Sequence, residues 1–338
     1  MTVHSHIAEA IALPALVRLG GNLIAARFET MKVASALHAV RTLLDDGTLE
    51  PGDTVIDSSS GIYAYSLALA CHRYGLHCRI IGSTTIDRAL AVQLRLLGAT
   101  LEQVEPSTSL KLDQTARVAR IHEILAAEPS LHWMRQYHDR IHYAGYQVIA
   151  QLFASQLGPG PLAVVGGIGS GASTGGLVTA LRADGIDTRA VGVQPFGSVT
   201  FGSEGLEDPE VLIAGIGSSI PFENVRHDLY DELHWVSFDT ALSGSVALLR
   251  DHAVFAGLSS GAGHAVARIS AARHPHRQHV FLAADTGHRY VDAVFARHEE
   301  ALPLDELAPV EIADLSELAL PWSSIAWNRR HHPHPEDA

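Results

Sequence analysis

The sequence predicts an α/β fold of two lobes, each built on a mainly parallel sheet flanked by helices. Three observations predict it. Short β-rich runs alternate with longer helical patterns along most of the chain. Several of those runs end in Gly, Ser or Asp, the turn that leads from a buried strand into a covering helix. At 338 residues the chain is long enough for a large core and for two lobes rather than one.

The strands read as DTVIDSS (53–59), HCRIIGS (77–83), PLAVVGG (161–167), TRAVGVQ (188–194) and QHVFLAAD (278–285). The helices read as FETMKVASALHAVRTLL (28–44), AYSLALACHRYG (64–75), DRALAVQLRLLG (87–98), QTARVARIHEILAAE (114–128), ASTGGLVTALRADG (172–185) and GAGHAVARISAAR (261–273). Gly and Pro punctuate LGPGP (157–161), the joint between two such units. The expected division is a large domain from 1–45 and 151–305, a small domain from 46–150, and a C-terminal extension over 306–338. The end of that extension, NRRHHPHPEDA (328–338), reads as a disordered tail; its histidines lack the acidic or cysteine partners that a metal site would place with them.

Composition narrows the function. With 47% hydrophobic and 18% charged residues, this is an ordinary soluble α/β composition. A formal charge of -13 without lysine and arginine clusters excludes a nucleic-acid footprint. No run approaches the ~18–20 apolar residues of a membrane span, and the start lacks a basic leader, so a cytoplasmic enzyme is expected. Cys71 and Cys78 are expected as buried free thiols.

Four places carry candidate chemistry. The chain has two lysines, and Lys32 opens an apolar helical run. An amine can deprotonate and attack a carbonyl where a guanidinium cannot, so Lys32 is a candidate Schiff-base residue; the alternative is a solvated lysine at a helix start. VVGGIGSGASTGG runs from a strand through Gly169, Ser170, Gly171, Ala172 and Ser173 into a helix. Converging amides there suit a phosphate, or the segment is simply a tight turn. No Gly-Lys-Ser/Thr follows, so it is not a Walker loop. In DSSSG, Ser59, Ser60 and Gly61 suit a carboxylate or cap the next helix. In FAGLSSGAG, Ser259 could face a ring nitrogen or act as another cap.

In order, these pieces resemble the fold type II pyridoxal-phosphate enzymes of the cysteine synthase and cystathionine β-synthase branch, whose fold is that of the tryptophan synthase β chain. ALPALVRL (12–19) resembles that family's TPLVRL, TMKVASA its lysine segment, and SSSGIYAYSLA its TSGNTGIALA loop. LHWMRQYHDRIHYAGYQVI resembles the stretch carrying a glutamine near the site, here Gln136, and a His–Tyr pair, here His142 and Tyr143. GGIGSGASTGG is similar to the phosphate loop and AGIGSS to the glycine-rich loop facing the cofactor. GLSSGAG is similar to the pyridine-nitrogen contact, and AADTGHRY to a closing DxGxRY-like segment. The resemblance spans roughly residues 12–295. The chain departs from the pattern at Ile62 and Tyr63, where the family has Asn and Thr, and lacks the NPGGS before the lysine.

The resemblance implies pyridoxal 5'-phosphate held by Lys32, Gly169, Ser170, Gly171, Ala172, Ser173, Gly217 and Ser259, with Lys32 also the catalytic base. It implies Ser59, Ser60, Gly61 and Gln136 at the substrate, no metal, and a homodimer acting on small molecules. The activity it implies is β-replacement on O-acetylserine or O-phosphoserine through an aminoacrylate, giving cysteine or a 2,3-diaminopropionate-type amino acid. GSVTFG and AGIGSS are closest to the diaminopropionate-precursor sub-branch. A β-eliminating lyase is the alternative with the same cofactor. A noncatalytic nucleotide-binding α/β protein is the alternative from another class, weakened by Gln194–Pro195 where an acidic ribose partner would stand.

Overall fold

The computed structural model describes residues 3–105, 113–210 and 215–330. Apart from single-turn 3-10 segments, the chain runs through α1 (Ile7–Ala10), β1 (Ala15–Gly20), β2 (Leu23–Arg27), α2 (Val33–Asp45), β3 (Thr54–Ser58), α3 (Ile62–Tyr74), β4 (His77–Ser83), α4 (Arg88–Leu96) and β5 (Thr100–Val104). It continues through α5 (Asp113–Ala127), β6 (His132–Trp133), α6 (Ile141–Ala144), α7 (Gln147–Leu157), β7 (Leu162–Gly167), α8 (Ala172–Ala183) and β8 (Thr188–Pro195). The last elements are β9 (Glu232–Val236), α9 (Phe238–His252), α10 (Leu258–Arg273), β10 (Gln278–Ala283), β11 (Val310–Glu311) and β12 (Trp322–Ala326).

Two sheets result. The larger has the order β1-β2-β10-β7-β8-β9-β12-β11, and the smaller β5-β4-β3-β6. The smaller sheet is parallel throughout, as is the centre of the larger from β2 to β9. Helices cover both faces, so central strands bury consecutive residues rather than alternate ones: LAVVG of β7 and ELHWV of β9 are buried throughout. Antiparallel pairs occur only toward the edges among the described residues, β1 with β2 and β12 with β9.

Local chemistry sets the helix ends. Asp87 caps α4 by accepting from Leu90 N at 2.8 Å, and Ser237 caps α9 by accepting from Thr240 N at 3.2 Å. Gly75 closes α3 at φ +70, a conformation that favours glycine. Cys71 and Cys78 are buried free thiols on α3 and β4.

The five strand runs read from the sequence correspond to β3, β4, β7, β8 and β10. The other seven strands were not read, β9 and β12 of the larger sheet among them. ELHWV carries buried polar residues that hide a central strand: Glu232 accepts from Arg189 at 2.8 Å and His234 at 2.9 Å, and Trp322 donates to His234 Nδ1 at 3.0 Å. Its partner β12 lies inside the expected C-terminal extension, whose residues 322–326 thus complete the larger sheet. The histidine-rich end, 331–338, lies outside the described residues.

Candidate active site

A cavity of about 570 Å³, open solvent at its mouth included, lies where the carboxyl ends of β3, β7 and β10 meet the amino ends of α2, α3, α8 and α10. That is where an open parallel sheet binds ligands. β2 delivers Lys32 to it. Phe28 N and Met31 N donate to Ala283 O and Ala284 O at 2.9 and 2.8 Å, extending the β2–β10 pairing to the residue before the lysine. Lys32 Nζ then lies 3.3 Å from Gln136 Oε1 and 3.4 Å from Ser170 Oγ, and 5.8 Å from the centroid of the Tyr63 ring. Burial lowers its pKa to about 8, against an opposing pull from the Asp57 carboxylate. This is the environment of a nucleophilic amine rather than of a solvated helix-start lysine.

The loop from β7 to α8 is held by close approach. Gly171 sits at φ +81 immediately before α8, and a Cβ there would lie 2.4 Å from Asn224 O; a Cβ on Gly169 would lie 2.3 Å from Gly215 O. Gly169, Ser170 and Ser173 line the cavity, and Ala172 begins the helix. First-turn amides have no acceptor within their own helix, so the end of this 12-residue helix presents donors and positive potential to an anion. The Thr174 hydroxyl is buried there without a partner. Asn224 ties the loop to the smaller sheet: its Nδ2 donates to Gln136 O at 3.0 Å and Asp139 O at 2.8 Å, and its carbonyl accepts from Tyr143.

On the opposite wall, Gly61 and Ile62 line the cavity. Ser59 Oγ accepts from Gly61 N at 3.3 Å and Ala64 N at 3.1 Å, and Ser60 Oγ accepts from Ser83 N at 2.8 Å. Each hydroxyl therefore caps or braces backbone and still has its own proton to donate. Gln136 is anchored twice, its Nε2 donating to Ser58 O at 2.6 Å and its N to Asp57 Oδ2 at 3.0 Å. His142 lies behind Tyr63, edge-on at 5.5 Å, with Nε2 3.0 Å from Met134 O; burial lowers its pKa to about 4, which keeps it neutral.

Ser259, in the first turn of α10, also lines the cavity. Gly217 stands just behind the lining pair Gly215 and Ile216, at φ +74, donating its N–H to Ile168 O at 2.8 Å. Three polar residues at the site had no role assigned from the sequence, although Asp285 and Arg289 stand in its DxGxRY-like segment. Asp57, fully buried at the end of β3, accepts from Ser58 N, Trp133 Nε1 and Gln136 N; burial raises its pKa to about 6 against those bonds and the Lys32 charge. Asp285 and Arg289 line the cavity in the closing segment, and Arg289 Nε donates to Asp87 at 2.6 Å. A carboxylate ending an apolar strand, as in VVGG's neighbours TVID and FLAAD, was the available signal.

The residues fit the cofactor that the resemblance implies. A depressed amine, a helix amino end carrying Ser170 and Ser173, and Ser259 share one cavity. Comparison with known proteins agrees. Over 274 residues the chain is 31% identical to an N-(2-amino-2-carboxyethyl)-L-glutamate synthase of Ralstonia nicotianae, covering 79% of this chain and 78% of that one. It is 28% identical over 236 residues to a cysteine synthase of Haemophilus influenzae, covering 66% and 71%. The crystal structure of an O-acetylserine dependent cystathionine beta-synthase from Helicobacter pylori shares the fold with a TM-score of 0.77 at 20% identity, over 86% of this chain and 98% of that one. A family model described as pyridoxal-phosphate dependent enzyme matches residues 26–285, and the chain belongs to that family.

Proposed function

We propose that the chain catalyses β-replacement on an O-activated serine, O-acetylserine or O-phosphoserine, with an amine as the incoming nucleophile and a 2,3-diaminopropionate-type amino acid as product. The observation that carries the reaction type is the Lys32 amine, lowered to about 8 and placed in one cavity with the amino end of α8 and Ser259. Support for the amine comes from the relative at 31% identity, whose name describes a 2-amino-2-carboxyethyl group on glutamate.

Pyridoxal phosphate, when bound, supplies the electron sink that lets a β-substituent leave a bound amino acid. The chain's residues do the rest. The α8 amides with Ser170 and Ser173 hold the phosphate, and Ser259 meets the ring nitrogen. The free protons of Ser59 and Ser60, beside Gly61 in the wall, receive the substrate carboxylate, with Gln136 fixed beside them by Asp57. Lys32, neutral in appreciable fraction near pH 8, takes the proton from the substrate Cα. The enclosed walls limit water, the competitor that would turn replacement into elimination.

Cysteine formation from sulfide is the second reading, favoured by relatives that are cysteine synthases. A cytoplasmic homodimer belongs to the same proposal, on the resemblance; light scattering reads the dimer. The test supplies each activated serine with glutamate, other amines or sulfide and identifies products by mass spectrometry. A C–N bonded product supports the first reading and cysteine the second, whereas pyruvate alone overturns replacement.

A further inference from the structure

The two walls of the cavity belong to different sheets, and one ion pair joins them. Arg289 lines the cavity from the single-turn helix Gly287–Tyr290 that follows β10 of the larger sheet. Its Nε donates to Asp87 Oδ2 at 2.6 Å, across 202 residues of chain. Asp87 is the N-cap of α4, whose Leu90 and Leu94 are buried in one cluster with Ile80 and Cys78 of the smaller sheet. The Arg289 and Asp87 side chains are 20% and 31% exposed, whereas the adjoining wall residues Asp285 and Tyr290 are buried, so the pair stands where the cavity meets solvent.

Both partners are oriented before they meet. Asp87 Oδ1 accepts from Leu90 N at 2.8 Å, which fixes the carboxylate on the helix that it caps. Tyr290, next to Arg289, donates its hydroxyl to Asp285 Oδ2 at 3.3 Å, which fixes that turn on the exit of β10. An ion pair between free surface side chains contributes little, because ordering both costs as much as they gain; here the cap and the wall supply the order. The pair also connects to the loop assigned to the substrate carboxylate. Thr85 N donates to Ser83 Oγ at 2.9 Å and Ser83 N to Ser60 Oγ at 2.8 Å, so a run of contacts leads from Arg289 through Asp87 and the turn before α4 to Ser60.

We propose that the Arg289–Asp87 pair is a strap that holds α4 against the larger-sheet wall at the cavity mouth, and thereby sets how much of the bound three-carbon fragment is lost to water rather than joined to the nucleophile. Both are positioning residues. The inference rests on the replacement reading above and gives its exclusion of water a residue basis. A fragment that escapes as free 2-aminoacrylate gains a proton at Cβ and the oxygen of water at Cα, its Cα–N bond breaks, and pyruvate and ammonia result. A separate, uncharged tie, Ser219 N donating to Gln114 Oε1 at 2.7 Å, joins α5 to the loop after Ile216 and keeps the walls together when the ion pair is removed.

The test combines two readouts on the holoenzyme: hydrogen exchange of the α4 amides by mass spectrometry, and the pyruvate share of product from O-acetylserine with glutamate. Asp87→Asn deletes the charge and keeps a side chain that caps α4; Arg289→Gln deletes the other charge. In each, α4 exchange and pyruvate share rise by about two- to fivefold, and the double variant rises no further than either single one. Arg289→Lys, which keeps the charge, restores most of the wild-type behaviour. If Arg289→Gln does not fold, Asp87→Asn and Arg289→Lys decide the outcome. Wild-type exchange and product ratio in both single variants, or effects that simply add in the double variant, overturn the inference. A wild type that forms pyruvate alone overturns the replacement reading instead, and α4 exchange then judges the strap by itself.

Discussion

The two walls of the cavity are built by different means. On the larger-sheet wall, main chain packs against main chain: Gly169 on Gly215 O and Gly171 on Asn224 O, at separations no Cβ tolerates. On the smaller-sheet wall, Gly61 has open space where a Cβ would go, and the contacts are made by side chains: serine hydroxyls on backbone amides, Gln136 on Ser58 O, Ile62 against the cavity. Backbone approach leaves almost no room for substitution, whereas a side-chain wall can be rebuilt with the fold intact. This matches where the chain departs from the family pattern. The loop proposed to hold phosphate keeps its glycines, while Ile62 and Tyr63 replace Asn and Thr on the side proposed to meet substrate.

Substitutions break or sharpen this contrast. Lys32→Ala has the largest effect: turnover falls by about 10³-fold or more, and covalent cofactor attachment is lost, read by steady-state assay and absorbance. Gly171→Ala comes next. It forces a side chain into φ +81 against Asn224 O, so about 1–3 kcal/mol of stability is lost and cofactor affinity weakens markedly, measured by thermal melts and fluorescence titration.

On the other wall the effects shrink. Ile62→Asn restores the family residue at about 1 kcal/mol cost in melting experiments. It changes the absorbance of bound cofactor and the preferred nucleophile more than cofactor affinity. Tyr63→Phe removes a hydroxyl that has no partner, so stability stays within about 1 kcal/mol of wild type. If Ile62→Asn abolished cofactor binding while Gly171→Ala left it unchanged, the contrast between the walls would be reversed.

pH separates the lysine from the carboxylates. Lys32 has a folded pKa lowered to about 8, so the rate of cofactor uptake by the stripped protein rises about tenfold per unit below about 8 and flattens above, seen by stopped-flow absorbance. Asp57 and Asp285 have folded values raised to about 6. The folded state then holds more protons than the unfolded between about 4 and 6, and their contribution to stability, full below that window, is lost as pH rises through it.

The sequence revealed those parts of the site that rest on local patterns. Gly169, Ser170, Gly171 and Ser173 are legible because a glycine-rich strand-to-helix turn is a local device. Ser59 and Ser60 were legible only as alternatives, and the structure gives their hydroxyls to backbone amides without excluding donation to a ligand. Asp57 and Asn224 were not legible, because their importance arises from contacts to Gln136 across 79 and 88 residues, whereas Asp285 stood in the DxGxRY-like segment without an assigned role. β9 and β12 were missed because buried Glu232 and His234, satisfied by Arg189, Trp322 and each other, read as surface residues until their partners are placed.

The central claim is that Lys32 is the residue to which the cofactor is attached. Its most direct test is borohydride reduction of the protein loaded with pyridoxal phosphate, followed by peptide mass spectrometry; the chain offers one other lysine, Lys111, as an internal control. A yellow protein whose label falls on Lys32 is predicted. A colourless protein that cannot be reconstituted, or a label carried by Lys111, contradicts the account.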